Sequence, residues 1–208
     1  MTSYELPVPV ETRLLTSPGV KIEYPVITVP DNPKATHAIN HAILQLVRTI
    51  QHDQLKLMTG TSLEMIGSYE IKTNERGLLS LLVSNYAYSS PMAHGNTIAK
   101  SLTFDVNTGR AYSLGELFKP GSDYVKALSA LIAAQIKARD LPLLDDGFQA
   151  IKPNQDYYLA DKALVVYFQL YEITPYYVGL PMFPINVYDL LSIAADPGPL
   201  ASLSVAVI

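Results

Sequence analysis

The sequence predicts an α+β fold: an antiparallel sheet packed against two main helices. Three observations carry this. Short apolar or alternating segments recur along the chain, separated by Gly, Pro, Asn and Asp turns. Two longer stretches, near 34–57 and 122–139, repeat their apolar residues at helical spacing instead. The order strands, helix, strands, helix, strands lacks the strict alternation of a parallel βαβ sheet.

In chain order, Val8 to Leu15 reads as a first strand and Val20 to Val29 as a second, joined at Ser17, Pro18 and Gly19. Pro25 inside the second strand marks an edge or a bulge, because proline has no N–H for the ladder. Lys34 to Leu57 is the strongest helix. Ile39, Ala42, Ile43, Leu46, Val47 and Ile50 share one face, and His37, Asn40, His41, Gln45, Arg48, Gln51 and His52 lie on the rest. Thr61 to Lys72 and Leu78 to Tyr88 are strands around a turn of Thr73, Asn74, Glu75, Arg76 and Gly77. Ser89 to Thr97 is a loop, and Ile98 to Val106 alternates again. Such a meander needs one face covered, and the long helix is the cover. Leu114 to Phe118 is a short helical turn. Ser122 is positioned to cap a second helix ending near Arg139. Tyr157 to Leu159 and Ala163 to Leu170 form a later hairpin, and Asp189 to Ala194 a last helical turn. The expected organisation is 8–113, 114–195 and a tail, 196–208, that is disordered or adds a strand.

Composition excludes several classes of function. The chain has 208 residues and a net charge of −4. That balance argues against a nucleic-acid surface, which needs clustered Lys and Arg. There is no cysteine, so disulfides, thiolate chemistry and Cys-ligated zinc are out. No apolar run reaches the roughly 20 residues of a membrane span. Residues 1–10 lack the basic and apolar regions of a signal peptide. The expectation is either a cytoplasmic protein or an exported domain without its leader.

The segment around which the chain is organised is Ala163 to Tyr188. Two apolar strands flank a connection containing Pro175, Tyr176, Tyr177, Gly179 and Pro181. Proline fixes φ and glycine permits a positive φ, so this connection is expected to hold one shape.

Several pieces resemble a known family. Val20 to Ile27, followed by a helix with Ile39 and Asn40, is similar to the amino-terminal domain of the PdaC-type peptidoglycan deacetylases. Ala93-His94-Gly95-Asn96, then Leu102 to Arg110, then Leu114-Gly115-Glu116-Leu117-Phe118, resembles the middle of those proteins. Tyr171 to Gly179 resembles a signature of their carboxy-terminal half. The same two-part unit forms the extracytoplasmic domain of the anti-sigma-V factor, a lysozyme receptor. The resemblance covers roughly 8–193. It implies a sensing or binding module outside the membrane, without a cofactor. This chain shows no membrane span, sigma-binding segment or deacetylase domain, and Pro91 and Met92 stand where the family often has two glycines.

Two loops are therefore the candidate site. Ser89, Ser90, His94 and Asn96 lie in one, and Glu172, Pro175, Tyr176 and Tyr177 in the other. Tyrosine offers large, stiff contact area at low entropy cost, and a shaped loop loses less freedom on binding. The alternative is that these tyrosines pack on the scaffold. The first reading is a non-catalytic module that binds a lysozyme-like protein, with both loops entering or covering the partner's cleft. The second is a module that binds cell-wall glycan on tyrosine platforms, which the absence of Trp disfavours. The last is a hydrolase using His94. A base needs a nucleophile and an orienting group, and no nucleophile elbow follows Ser89 or Ser90. A His94 bonded to backbone or to a carboxylate such as Glu172 is the plainer reading. His37, His41 and His52 share a helical face, but Arg48 lies among them and no acidic partner completes a metal set. Asp145 with Asp146, and Asp105 with Glu116, read as turn and cap residues rather than catalytic pairs.

Overall fold

The structure, a computed structural model, describes residues 7–60, 62–145 and 147–205. It divides into two units, Met1–Ala111 and Tyr112–Ile208. The α+β class holds. The antiparallel strands expected against two main helices are divided into two sheets, one in each unit, and each main helix belongs to one of the units.

The first unit holds β1 (Val10–Ser17), β2 (Val20–Ile27), α1 (Pro33–Leu57), β3 (Leu63–Glu75), β4 (Leu78–Ser89) and β5 (Asn96–Asp105). The five strands lie in sequence order. The β3–β4–β5 meander is antiparallel as expected, and only the β2–β3 pair departs from the predicted antiparallel sheet. It is parallel and short, Val20–Ile22 against Met65–Gly67. The helix between those strands returns the chain to the same end, which is what a parallel pair requires. It also accounts for Pro25: by that point β2 has left β3, so the missing N–H interrupts no ladder.

Asn32 caps α1 by accepting from the Ala35 N–H at 3.0 Å, with Pro33 in the first turn. The apolar face predicted for α1 is buried: Ile39, Ile43, Val47 and Ile50 meet Ile22, Ile27, Met65, Leu79, Leu81 and Phe104. Two polar residues of α1 lock it to the sheet. The Asn40 amide takes both backbone groups of Ile27, accepting from its N–H at 2.7 Å and donating to its carbonyl at 2.8 Å. Gln54 is wholly buried and donates to the carbonyls of Asn85 and Asn96 at 2.7 and 2.9 Å. Paired in this way, a buried amide avoids the penalty for unmade hydrogen bonds.

The turn expected over 73–77 is shorter. The β3–β4 ladder continues through Glu75 opposite Leu78, leaving Arg76 and Gly77, both at positive φ, to turn the chain. Thr73 is buried, and Asn74 pairs with both backbone groups of Val8 at 2.9 and 2.8 Å. After β5, the Asp105 carboxylate accepts from the N–H groups of Asn107 and Thr108 at 2.8 and 3.1 Å. Gly109 then passes so close to α1 that a Cβ would lie 2.8 Å from Ala35 Cα. The family-like segment 102–110 is thus the end of β5 and a turn fitted against a helix end.

The second unit holds α2 (Tyr124–Ala138), β6 (Tyr157–Ala160), β7 (Ala163–Tyr167), β8 (Met182–Asn186) and α3 (Pro199–Ser204). A 3₁₀ turn, Leu114–Leu117, opens it, and Glu116 accepts from Ser113 N–H at 2.8 Å. The α2 cap is Asp123, not Ser122: its carboxylate accepts from Lys126 N–H at 3.3 Å. The sheet is antiparallel with order β6-β7-β8. Leu128, Ile132 and Ile136 of α2 are buried, as are Leu164, Val166, Phe183 and Ile185 of the strands. The outer carbonyls of β8, at Met182 and Pro184, accept from Arg139 and Gln135, each at 2.8 Å. The tail, expected to be disordered or a strand, forms α3 with Leu200 and Leu203 buried. Tyr188 hydroxyl donates to the Ser204 carbonyl at 2.8 Å and receives from Lys162 at 2.9 Å.

Candidate functional site

The connection between β7 and β8 begins at Phe168 and closes where Phe168 N–H donates to the Pro181 carbonyl at 3.1 Å. Phe168 is buried edge-on between Phe148 and Phe183, at 5.8 and 5.7 Å between ring centres. Aromatic edge contacts of this kind favour one relative orientation. Ile173 and Thr174 are also buried, so the descending limb is anchored. Leu144 N–H donates to the Ile173 carbonyl at 3.0 Å.

Glu172 organises the base of this connection. One carboxylate oxygen accepts from Gln169 N–H at 2.8 Å. The other accepts from Lys152 at 2.8 Å and from Gln155 at 3.3 Å. Burial alone would push this carboxyl up, but the bonds from Lys152, Gln169 and Gln155 and the lysine charge outweigh it and hold Glu172 below the ordinary value. The same bond and charge raise Lys152. Gln155 is buried and also donates to the Tyr167 carbonyl at 3.0 Å, tying β7 to the arrangement.

Above this base, Tyr171 has φ +61. A bulky residue in the left-handed region carries strain of order 1–3 kcal/mol and persists only where its surroundings impose it. Pro175 precedes a 3₁₀ turn, Tyr176–Val178, and Gly179 leaves it at φ +79. Tyr176 is half-buried, its ring 5.7 Å from that of Tyr171. Tyr177 is 78% exposed and Tyr171 50%. The connection therefore presents an aromatic surface on a base fixed by a carboxylate and buried apolar side chains.

The loop 89–95 lies in the first unit and has the opposite character. Ser89 is 1% exposed; its hydroxyl accepts from Gly60 N–H at 3.1 Å and donates to Met92 sulfur at 3.4 Å. The Ser90–Pro91 peptide is cis. His94 is exposed, with Nδ1 3.0 Å from the Gly95 carbonyl. Gly95 is buried against Tyr86, and a Cβ there would stand 2.1–2.5 Å from the ring and hydroxyl. Asn96 opens β5, and its carbonyl takes the Gln54 amide. Of the residues singled out in this loop, Ser90 and His94 face outward, whereas Ser89 holds the loop together and Asn96 is half-buried.

The other expectations can be placed briefly. His37 and His41 are exposed with rings 6.1 Å apart. Among the described residues no three metal-ligating side chains are gathered. Asp105 and Glu116 serve the turn and the cap given above. Asp145 is exposed, and Asp146 lies outside the described residues. Sequence reasoning missed Lys152 and Gln155, the partners of Glu172. Neither carries a local signal, since both act across the fold.

Residues 115–188 match a family described as a protein of unknown function, DUF3298. The chain is 25% identical over 180 residues to peptidoglycan-N-acetylmuramic acid deacetylase PdaC of Bacillus subtilis (strain 168), covering 82% of this chain and 38% of that protein. It is 27% identical over 182 residues to the anti-sigma-V factor RsiV of the same strain, covering 80% of this chain and 62% of that protein. It thus spans less than two thirds of each relative. The fold matches a solved DUF3298 family member from Bacteroides fragilis NCTC 9343 with a TM-score of 0.67, at 16% identity over 98% of both chains. A DUF3298 protein from Pseudomonas aeruginosa PAO1 matches with a TM-score of 0.66, at 20% identity over 91% of this chain and 95% of that one. The likeness to PdaC and RsiV drawn from separate short motifs therefore holds along most of the chain, with the DUF3298 match lying in its second unit.

Proposed function

We propose that this chain is a non-catalytic binding module of the bacterial cell envelope and that the connection 171–179 is where it holds a protein partner, of which a lysozyme-like protein is the first to test. The observation that carries the reading is Tyr177, a large aromatic side chain 78% exposed on a connection whose base is fixed. Aromatic anchors on rigid supports are what interface hot spots are made of, and a pre-shaped loop loses little entropy on binding. The similarity to the anti-sigma-V factor supports a protein as partner. Against catalysis at His94 stands the use of the neighbouring Ser89 hydroxyl inside the loop, where it bonds to Gly60 and Met92. That use removes Ser89 as the nucleophile a His94 base would activate.

Calorimetry with lysozyme, and separately with soluble peptidoglycan fragments, tests the proposal. Nanomolar to micromolar affinity for lysozyme alone is expected. Binding to fragments alone would assign the tyrosines to glycan instead. Hydrolysis of peptidoglycan or ester substrates by the wild type that disappears in His94→Ala would overturn the non-catalytic assignment.

A further inference from the structure

The two sheets treat their edges differently. On β8, Pro184 lies in the strand, and the outward carbonyls of Met182 and Pro184 are taken by Arg139 and Gln135. Such devices keep an edge from recruiting another strand. In the first unit β1 is an end strand. It contains no proline, and it pairs with β2 without a register shift from Val10 opposite Ile27 to Ser17 opposite Val20. Six of its eight residues, Glu11, Thr12, Arg13, Leu14, Thr16 and Ser17, are exposed.

The register says which groups point outward. Thr28 N–H donates to the Pro9 carbonyl at 3.1 Å, so that pair is hydrogen-bonded. Alternation along an antiparallel ladder then turns the backbone groups of Val10, Thr12, Leu14 and Thr16 away from β2. The same alternation turns Ile27 away from β1, where the Asn40 amide takes both of its groups.

We infer that β1 is a self-association edge: it pairs antiparallel with β1 of a second copy about a two-fold axis through Thr12. Charge complementarity selects both the occupant and the register. Outward-facing residues must face one another, so the axis passes through a residue rather than between two, and charge chooses which. An axis at Glu11 or at Arg13 sets like charges directly opposite, which is destabilising. The axis at Thr12 sets Glu11 opposite the other copy's Arg13, and Arg13 opposite its Glu11. It also sets Val10 opposite Leu14 and Leu14 opposite Val10. Glu11 and Arg13 already lie side by side at 3.4 Å, with side chains 69% and 61% exposed. Leu14 is 52% exposed and gains an apolar neighbour.

The absence of cysteine makes the test clean. Single variants Thr12→Cys, Arg13→Cys and Leu14→Cys are oxidised mildly beside an exposed control on α2, Ala133→Cys. Residue 12 meets itself across the axis at the Cα separation a disulfide accepts. Thr12→Cys should form disulfide dimer at least about tenfold faster than the control, because pairing raises the effective thiol concentration. Adding Glu11→Arg to Thr12→Cys should remove that advantage, and adding Arg13→Glu as well should restore it. Circular dichroism confirms that each variant is folded. Coupling no faster than the control, or failure of the double reversal to restore it in folded protein, overturns the proposal. Fastest coupling at residue 13 or 14 overturns it too, by placing the axis elsewhere. An edge that captures a different protein while Thr12→Cys stays monomeric does the same.

Discussion

The connection 168–181 and the loop 89–95 use the same sequence punctuation for opposite ends. Both combine proline and glycine with polar or aromatic residues. In 89–95 the glycine makes room for a neighbour: Gly95 lets the Tyr86 ring lie against the backbone, and Ser89 is spent on internal bonds. In 168–181 the glycine turns the chain, and nothing approaches within 4 Å of where a Cβ on Gly179 would stand. Tyr171 and Tyr177, beyond its anchored base, remain in solvent. A glycine filled by a neighbour signals packing, and a glycine facing open space beside exposed aromatics signals presentation.

Substitutions can break this contrast, beginning with the largest effect. Gly95→Ala forces the half-buried Tyr86 ring to move, and denaturant unfolding should show a loss of about 2–3 kcal/mol. Pairing it with Tyr86→Ala should recover part of that loss, because the clash is with the ring. Glu172→Gln keeps shape but removes the negative charge; about 1–2 kcal/mol should be lost, from the charged hydrogen bonds to Gln169 and Gln155. The Lys152 end contributes little of this, since its side chain is 68% exposed and screened. Acid should reproduce the effect. Glu172 is held below its ordinary value in the folded state, so its stabilisation is present above the unfolded value of about 4.3 and disappears as pH falls through the lower folded value. Wild type should therefore lose more stability than Glu172→Gln as pH falls below about 4, and parallel curves would contradict the anchoring role. Smallest of all, His94→Ala and Tyr177→Ala should each shift stability by no more than about 0.5 kcal/mol, since both side chains are exposed.

The sequence was most legible where local signals act alone. The span of α1 follows from helical spacing, one residue short of its start at Pro33. The hairpin β6–β7 follows from its apolar runs. Legibility fails where a polar residue finds a distant partner. Thr73 and Asn74 read as turn residues, yet β3 runs through them because Thr73 is buried and Asn74 meets Val8. Gln54 is polar, yet it occupies the buried face of α1 because two carbonyls and the Asn85 amide await it. Ser122 and Asp123 are both good caps by type, and only backbone geometry chooses between them. In the candidate site, the tyrosines and prolines were visible in the sequence. The base was not, because Glu172 depends on Lys152 and Gln155, which belong to an earlier segment.

The most direct test compares wild type and Tyr177→Ala by calorimetry against lysozyme at equal stability. Loss of about 2 kcal/mol of binding energy, or roughly thirty-fold in affinity, is the predicted result. Wild-type binding that is unchanged in folded Tyr177→Ala would contradict the assignment of this connection to partner recognition.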